Sequence, residues 1–439
     1  MALQRGFFRV VNERREQGYA EEVLLETPRP HPDSGRPPRL LAIRPFLWLV
    51  LGEMLANVGL WSFFVASEGD AVFRFDASPS QLGILISSYS IAFIPASPAF
   101  GLLADRWSPK RLLIMAHGAT IAILFVASLA PSLPWLYAAT AMFGFAEAVV
   151  WPARGAMVPL LVDEDRLVQA NGMMGVAWQV PLVIGPALAA VVVRILGPDA
   201  PYYMAMAAVA LAIPLYLLIP DRRKGHPDKG ERFFADLATG FREALRTPIL
   251  RSLIVRAVTA YLLLGMVITL EALYVRETLG RGQDFLGVIF SVTGAGAALG
   301  SATLVALKHG VGREHLLMAI GLTGGGIGYV LYIGTSSALV SLIGSFLFGA
   351  GFTFFSSPGQ ALIQRVAAHP GKVTAVYAML SEGGPLAAAL VVAILGRFIA
   401  VQPWLIGAAI VFTALGLVSL PGSRRRGQPE PASARAREE

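Results

Sequence analysis

Long apolar segments recur along this chain from about residue 41 almost to its end. A helix needs about 20 residues to cross the roughly 30 Å hydrocarbon core of a bilayer, and these segments have that length. Of the 439 residues, 55% are hydrophobic and 15% are charged, a composition too apolar for a soluble domain of this size. Because lipid cannot satisfy the backbone and the segments lack the alternation of barrel strands, they are predicted to be helices. The fold class is therefore an all-α membrane protein.

Twelve such segments are separated by charged residues, glycine or proline. They lie near residues 43–66, 81–104, 111–130, 133–155, 166–195, 201–220, 249–275, 284–307, 313–333, 337–362, 372–396 and 401–421. The longest polar break, 221–248, is interpreted as a cytoplasmic linker between two six-helix halves, 43–220 and 249–421. Residues 1–42 are expected to form a disordered, proline-rich cytoplasmic tail, and residues 422–439 form a second tail.

The basic residues predict the orientation of the twelve spans. Thirty of the 36 lysine and arginine residues fall on the side of the two termini, five fall in the loops on the other side, and Arg256 lies within the seventh span. Basic residues accumulate in the cytoplasmic loops of membrane proteins. Both termini are therefore predicted to be cytoplasmic, and the expected location is a bacterial inner or plasma membrane.

Two short patterns of the first half return in the second. FGFAEAVVWPARG at 143–155 is echoed by FGAGFTFFSSPGQ at 348–360, and RLVQANGMM at 166–174 is echoed by KVTAVYAML at 372–380. Both echoes have an offset near 206 residues and follow the same order. Internal repeats of this kind are typical of secondary transporters, which bind substrate between the two halves.

The composition excludes several classes of function. Cysteine is absent, which excludes disulfides, thiolate metal sites and cysteine nucleophiles. The net charge of +7 does not indicate nucleic-acid binding, because the basic residues lie in loops and tails. There is no GxxxxGK[ST] loop for ATP, and His117, His309 and His315 are isolated in the sequence. We expect no enzymatic activity, no cofactor and no metal.

A charged turn, GLLADRWSPKR at 101–111, joins the second and third spans. Gly101 permits close helix approach, and Asp105 is able to accept hydrogen bonds at the N-terminus of a neighbouring helix. Arg106, Lys110 and Arg111 hold the turn on the inner face. A turn that served only membrane orientation would not require Asp105. We interpret the five residues as a conformational gate, with Asp105 expected at the N-terminus of the eleventh span.

This turn resembles the signature G-x-L-A-D-R-x-G-R-K of the major facilitator superfamily. It matches at Gly101, Leu103, Ala104, Asp105 and Arg106, with Lys110 in register, and departs at Ser108 and Pro109. The resemblance covers about residues 43–421 and implies the twelve-helix fold of that superfamily. The amphipathic stretch FFADLATGFREALRTPILR at 233–251 is similar to the macrolide-efflux and siderophore-export branch.

Small residues in the fifth span bear on the direction of transport. Gly175, Gly185 and Pro186 resemble the glycine-rich antiporter signature of exporters, although Ala189 and Ala190 replace its closing glycine pair. A helix-packing face without any role in transport direction explains the same residues equally well.

Polar and charged residues inside the spans are candidate functional residues, because charge is costly in a membrane. Glu53, Asn57 and Trp61 share one stripe of the first span, at a spacing of four residues. Glu147 and Trp151 share a face of the fourth span. The two tryptophans equally suit packing or interfacial positions.

Three further charged residues extend this set. Arg256 lies in the seventh span and Glu382 in the eleventh, and with Glu53 and Glu147 they are expected at a similar depth, roughly 10–15 Å from the cytoplasmic ends. Arg154 is expected nearer the membrane surface, as an interfacial anchor. The family resemblance implies that Glu53, Glu147 and Arg256 face the substrate path. The alternative is a structural ion pair.

These residues predict a secondary transporter. We expect proton-coupled export of an amphipathic or hydrophobic small molecule, with Glu147, Glu53 or Glu382 carrying the proton and with Arg256 as the partner of Glu147. An importer, a lipid or lysolipid translocator, and a membrane sensor or assembly partner that transports nothing are the alternatives. The expected partners are the substrate, protons and the lipid bilayer, without nucleic acid, and the protein is expected to be a monomer.

Overall fold

The computed structural model describes residues 40–163, 166–221, 233–307, 314–398 and 400–418, except for the side chains at 101, 102, 104–106, 168, 233, 234 and 236. Within these ranges the chain is helical and forms no strand. A 3-10 turn covers Leu40–Ala42. Thirteen helices follow: α1 (Arg44–Gly69, extended by a π-helical turn over Asp70–Arg74), α2 (Pro79–Arg106), α3 (Pro109–Ser128), α4 (Leu133–Leu161), α5 (Leu167–Leu196), α6 (Ala200–Leu217), α7 (Phe233–Arg246), α8 (Pro248–Glu277), α9 (Gln283–Ala306), α10 (Glu314–Ile333), α11 (Ala338–Val366), α12 (Pro370–Leu395) and α13 (Val401–Val418).

Twelve of these helices, all but α7, are long and apolar enough to cross a membrane. This confirms the expected number of spans and the all-α membrane class. The first span is longer than predicted, because it continues from residue 66 to Arg74. The polar residues Glu68 and Asp70, which end the apolar window, are buried against other parts of the protein and not exposed to lipid.

Each half is a bundle of six membrane helices, α1–α6 and α8–α13. In the first half α1 packs on α5 and α6, and α2 packs on α4. The two halves meet where α2 packs on α12 and α5 packs on α9. Both contacts depend on glycine. A Cβ added at Gly83 would lie 2.5 Å from Ala389 O, and a Cβ added at Gly287 would lie 2.5 Å from Pro186 O. Any side chain at these two glycines would force the halves apart.

The thirteenth helix, α7, belongs to the segment between the halves. It packs on α12, where an added Cβ at Gly240 would lie 2.7 Å from the carbonyl carbon of Lys372. Glu243 accepts hydrogen bonds from the backbone N–H groups of Ala368 and His369, at 2.5 and 3.3 Å, just before α12 begins. A carboxylate stabilises the positive end of a helix dipole. The linker therefore places a carboxylate at the N-terminal end of α12.

Candidate functional site

A narrow cavity lies inside the first half, between α1, α3, α4 and α5. The two stripes predicted on the first and fourth spans face each other across it. The residues that line the cavity are Glu53, Ala56, Asn57, Leu60, His117, Glu147, Val150, Trp151, Arg154 and Trp178.

Glu53 is the most buried charged residue of this cavity, with 1% of its surface exposed. Arg154 Nη1 donates to Glu53 Oε2 at 3.4 Å, and the Tyr216 hydroxyl donates to Glu53 Oε1 at 3.1 Å. The same hydroxyl lies 3.5 Å from His117 Nε2. Gly52 permits this arrangement, because an added Cβ would lie 2.6 Å from Tyr216 Cε1. Both carboxylate oxygens of Glu53 therefore have a donor, as a buried charge requires.

Aromatic rings form one wall of the cavity. The ring of Trp178 makes edge contacts with Trp151 and Trp61, at centroid distances of 5.2 and 6.0 Å. The Arg154 guanidinium lies 4.3 Å from the ring centroid of Trp151, within the range of a cation–π interaction. Asn57 Nδ2 donates to the carbonyl oxygens of Glu53 and Ala177, at 2.8 and 3.4 Å, and so joins α1 to α5. An apolar wall with a few fixed polar groups is typical of a small-molecule site.

Two carboxyl groups share one guanidinium here. Glu147 lines the cavity and lies within electrostatic range of both Glu53 and Arg154. One guanidinium balances only one carboxylate. A proton on one of the two acids restores the balance, and so does a positive charge brought by a bound solute. The charge state of the cavity is therefore able to change with proton binding.

The structure gives Glu53 a different cation from the one that the sequence favoured for this cluster. Arg256 is half-buried on α8, within electrostatic range of His315 at the start of α10, and is not among the residues that line the cavity. Arg154 takes that place and is 16% exposed, so it is not an interfacial anchor. The reason is the length of α4, which continues to Leu161, roughly 10 Å beyond Arg154.

Glu382, the third predicted proton carrier, lies outside this cavity. It is exposed, and it interacts electrostatically with Tyr89 on α2 and Tyr261 on α8. Tyr89 also interacts with Glu147. Glu382 therefore approaches the first half through Tyr89 and does not join the cluster around Glu53.

The predicted gate turn is described in part. Lys110 Nζ donates to the carbonyl oxygens of Leu217 and Ile219, at 2.8 and 2.6 Å, and Arg111 Nε lies 3.0 Å from Asp221 Oδ2. These contacts join the start of α3 to the end of α6, inside one half. Stabilisation of helix-terminal carbonyls by lysine is a common C-cap interaction.

Ser108 and Pro109, the departures from the signature, form the helix start of α3. Ser108 Oγ accepts from the Arg111 N–H at 3.3 Å as the N-cap, and Pro109 occupies the first turn, where its missing N–H has no cost. The side chains at Gly101, Asp105 and Arg106 lie outside the described residues. At the N-terminus of α12, the position expected for Asp105, the described carboxylate is that of Glu243.

The three small residues of the fifth span have different surroundings. An added Cβ at Gly185 would lie 3.0 Å from Trp61 Cβ, so Gly185 packs α5 on α1. Pro186 O faces Gly287 of the other half, as described above. An added Cβ at Gly175 would meet no atom within 4 Å. Gly185 and Pro186 thus take part in close packing in this conformation, and Gly175 does not.

The two halves are joined by polar contacts at one end of the bundle, which we call the closed end and define by residues 65–83 and 271–287. Arg276 Nη1 donates to Val72 O at 2.5 Å and to Asp76 Oδ1 at 2.6 Å. Gln283 Nε2 donates to Val65 O at 3.4 Å and to Pro198 O at 3.3 Å. Each of these bonds crosses from the second half to the first.

Sequence patterns did not reveal His117 and Tyr216 as parts of the site. His117 has no second histidine at a ligand spacing in the sequence, and its partner Tyr216 is 99 residues away. Tyr216 sits near the end of an apolar span, where tyrosine usually indicates the membrane interface. Only a polar group spaced at a helical repeat would have drawn attention to either residue.

The sequence model of the Major Facilitator Superfamily matches residues 49–389. The chain belongs to this superfamily. The relatives of this major facilitator include the uncharacterized MFS-type transporter YfiS of Bacillus subtilis (strain 168), which is 21% identical over 86% of this chain and 92% of its own length. The enterobactin exporter EntS of Salmonella typhimurium is 25% identical over 56% of this chain and 59% of its own length.

A further relative and a solved structure agree with this assignment. The Na(+), Li(+), K(+)/H(+) antiporter of Planococcus maritimus is 25% identical over 56% of this chain and 61% of its own length. This major facilitator therefore aligns with about three fifths of EntS and of the antiporter. The crystal structure of the nucleoside transporter NupG has a TM-score of 0.70 at 13% identity, covering 85% of this chain and 98% of that one, which shows the shared fold. The chain is a multi-pass membrane transporter.

Proposed function

We propose that this transporter exports an amphipathic or hydrophobic small molecule in exchange for protons, by alternating access between its halves. The observation that carries the proposal is the pair Glu53 and Glu147, which share Arg154 in a cavity walled by Trp151 and Trp178. An exporter and a cation/proton antiporter among the relatives support the direction and the coupling ion.

The charge balance of the cavity supplies the coupling. With a proton on Glu147, Glu53 and Arg154 form a neutral pair, and the cavity has no net charge. It is then stable without water. Without that proton the cavity carries a net negative charge, which favours hydration or a positively charged or hydrogen-bonding solute. A state that binds protons and a state that binds solute thus alternate, and proton binding shifts the population between the two conformations.

The cavity selects its solute by shape and by its aromatic wall. A water-sized sphere has about 10 Å³ of free space in the cavity, enough for roughly one water molecule, whereas sites for drug-sized ligands have about 300–1,000 Å³. A macrolide-like or siderophore-like solute therefore requires the halves to separate around it. The two tryptophan rings offer flat apolar surface, and Asn57 and Arg154 offer polar anchors at its edge.

The proposed orientation places both termini in the cytoplasm and the closed end outside. The distribution of thirty basic residues on the terminal side against five on the other supports this orientation. The location is then the inner or plasma membrane of a bacterium, and the working unit is a monomer. The gate turn, in which Lys110 and Arg111 join the start of α3 to the end of α6, acts on the cytoplasmic side in this orientation.

The proposal is tested by finding the exported compound and then its driving force. Media from cells with the wild-type protein, with Glu147→Gln and without the protein are compared by untargeted mass spectrometry. We expect at least one amphipathic compound that accumulates outside only with the wild type. The purified compound is then loaded into proteoliposomes, where an imposed pH gradient is expected to drive its flux and a pH-sensitive dye is expected to report the opposing proton flux.

The same experiment separates the alternatives. Net movement of the compound in the direction of the proton flux identifies an importer. Transfer of a fluorescent lysolipid between leaflets, with no flux of soluble compounds, identifies a lipid translocator. If no solute flux depends on Glu53, Glu147 or Arg154, the protein is a sensor or an assembly partner.

A further inference from the structure

Two buried carboxyl groups lie at the closed end, apart from the cavity described above. Glu68 is near the end of α1 in the first half, and Glu271 is in α8 of the second half. Their exposed fractions are 2% and 5%. The two groups interact electrostatically across the boundary between the halves. Buried acids in membrane spans are costly and mark functional sites.

The hydrogen bonds of these two acids are incomplete. The Tyr332 hydroxyl donates a hydrogen bond to Glu271 Oε1. Glu68 Oε2 is buried and has no hydrogen-bond partner among the described residues. Neither acid forms an ion pair within the described part of the chain, where the salt bridges of the closed end involve Arg74 and Arg276 with other acids. A buried carboxyl oxygen without a hydrogen-bond partner needs an explanation, and protonation of the carboxyl group provides one.

The other titratable groups at this end are already engaged or lack a charge. Asp70 accepts from the Tyr202 hydroxyl at 3.2 Å and lies 3.6 Å from Arg74, which also faces Asp199. The remaining neighbours of Glu271 are phenols: Tyr274 donates to backbone carbonyls, and Tyr329 interacts electrostatically with Glu271. On α9, the facing polar group is the neutral Gln283, which packs against Gly69.

We propose that Glu68 and Glu271 form a second proton-binding site, in which a proton bound to one of the two acids keeps the closed end shut. With that proton in place, the halves meet through Gln283 and Arg276. Without it, two like charges face each other in a water-poor interface and repel, which favours separation of the halves. The site rests on the proposed function only in taking the proton as the coupling ion, and it places proton uptake at the mouth through which the solute leaves.

The test measures the width of the closed end as a function of pH. Ser132→Cys and Ser336→Cys introduce two exposed labelling sites, before α4 and α11, in a chain that has no other cysteine. Spin labels at these sites report the distance between the halves by double electron–electron resonance, with purified full-length protein in lipid nanodiscs. We expect a short distance at low pH and a shift to a longer one as the pH rises.

Three variants identify the responsible groups. Glu68→Gln and Glu271→Gln each remove one acid of the pair, so we expect the distance to stay short across the pH range. Asp76→Asn breaks only the exposed ion pair with Arg276 and is expected to keep the pH-dependent shift. Elution as a single monodisperse species confirms that each variant is folded.

Several results overturn this proposal. They are a distance that does not change with pH in the wild type, a wild-type shift in both Glu68→Gln and Glu271→Gln, and a shift lost in Asp76→Asn. If the distance changes with Na+ concentration at constant pH, with N-methylglucamine as the reference cation, the site binds an alkali ion and not a proton. The proposed function fails separately, if gradient-driven flux does not depend on Glu147.

Discussion

Arg154 Nη1 lies 3.4 Å from Glu53 Oε2, and its guanidinium stacks on Trp151 at 4.3 Å. One cation therefore contacts both a buried acid and the aromatic wall of the cavity. This geometry makes Arg154 the residue whose replacement should disturb charge and packing together, and it is the source of the first prediction.

Arg154→Met should lower the free energy of unfolding by about 1–3 kcal/mol, because it leaves a buried carboxylate without its charged donor. Arg365→Met is the matched control: it breaks the Arg365–Glu314 pair, in which the arginine side chain is 40% exposed, and exposed pairs contribute about 0–1 kcal/mol. Thermal melting in detergent, followed by size-exclusion chromatography, measures both. Addition of Glu53→Gln to Arg154→Met should recover part of the loss, and an equal effect of the two arginine variants contradicts the prediction.

Glu147→Gln should imitate the protonated acid. We expect flux driven by a pH gradient to fall to background, whereas exchange of labelled for unlabelled solute persists in proteoliposomes, because exchange requires no net proton movement. Glu53→Gln is the comparison, since Glu53 holds the ion pair with Arg154. If Glu53→Gln alone abolishes gradient-driven flux, Glu53 carries the proton. Unchanged coupling in both variants rejects this cluster as the coupling site.

Gly83→Ala should open the closed end. Its new Cβ would lie 2.5 Å from Ala389 O, a backbone atom of the other half that cannot move aside alone. The distance between labels at Ser132→Cys and Ser336→Cys is expected to lengthen at every pH. Gly118→Ala, where an added Cβ would meet no atom within 4 Å, should leave the distance unchanged. A short distance in Gly83→Ala shows that the interface adapts locally.

Acid should release α7 from α12. Partial desolvation tends to raise the pKa of Glu243. Hydrogen bonds from the His369 side chain and from the backbone N–H groups of Ala368 and His369 outweigh it, so the pKa of Glu243 is lowered. An acid with a depressed pKa stabilises the docked helix above its unfolded pKa, near 4.3 for glutamate, and the contribution disappears as pH falls through the lower, folded value.

The electron paramagnetic resonance spectrum of a spin label at the exposed position Ala238→Cys measures this docking. We expect low mobility at neutral pH and higher mobility below about pH 4, where glutamate becomes protonated. Glu243→Gln should show the higher mobility already at neutral pH. Equal mobility in the two proteins at neutral pH means that apolar packing around Gly240, and not the carboxylate, holds the helix.

The sequence by itself determined the fold and part of the site. Twelve apolar windows were sufficient for twelve spans, because a membrane helix is fixed by its own length and hydropathy and needs no long-range information. Helical spacing also placed Glu53 with Asn57, and Glu147 with Trp151, on faces that meet at one cavity. A periodic pattern specifies which residues share a helix face, and polar residues on that face avoid lipid.

The pairing of charges was decided only by the tertiary structure. Depth along the helices favoured Arg256 for the cluster and placed Arg154 nearer the membrane surface. The packing of α1 against α4 and α6 instead brought Arg154 and Tyr216 to Glu53. Glu68 was missed in the same way, because the predicted first span ended at residue 66. Its proposed role depends on the electrostatic interaction with Glu271, which lies about 200 residues away in sequence and in the other half. Contacts between helices depend on rotation and register, which hydropathy does not encode, because several rotations bury equal apolar area.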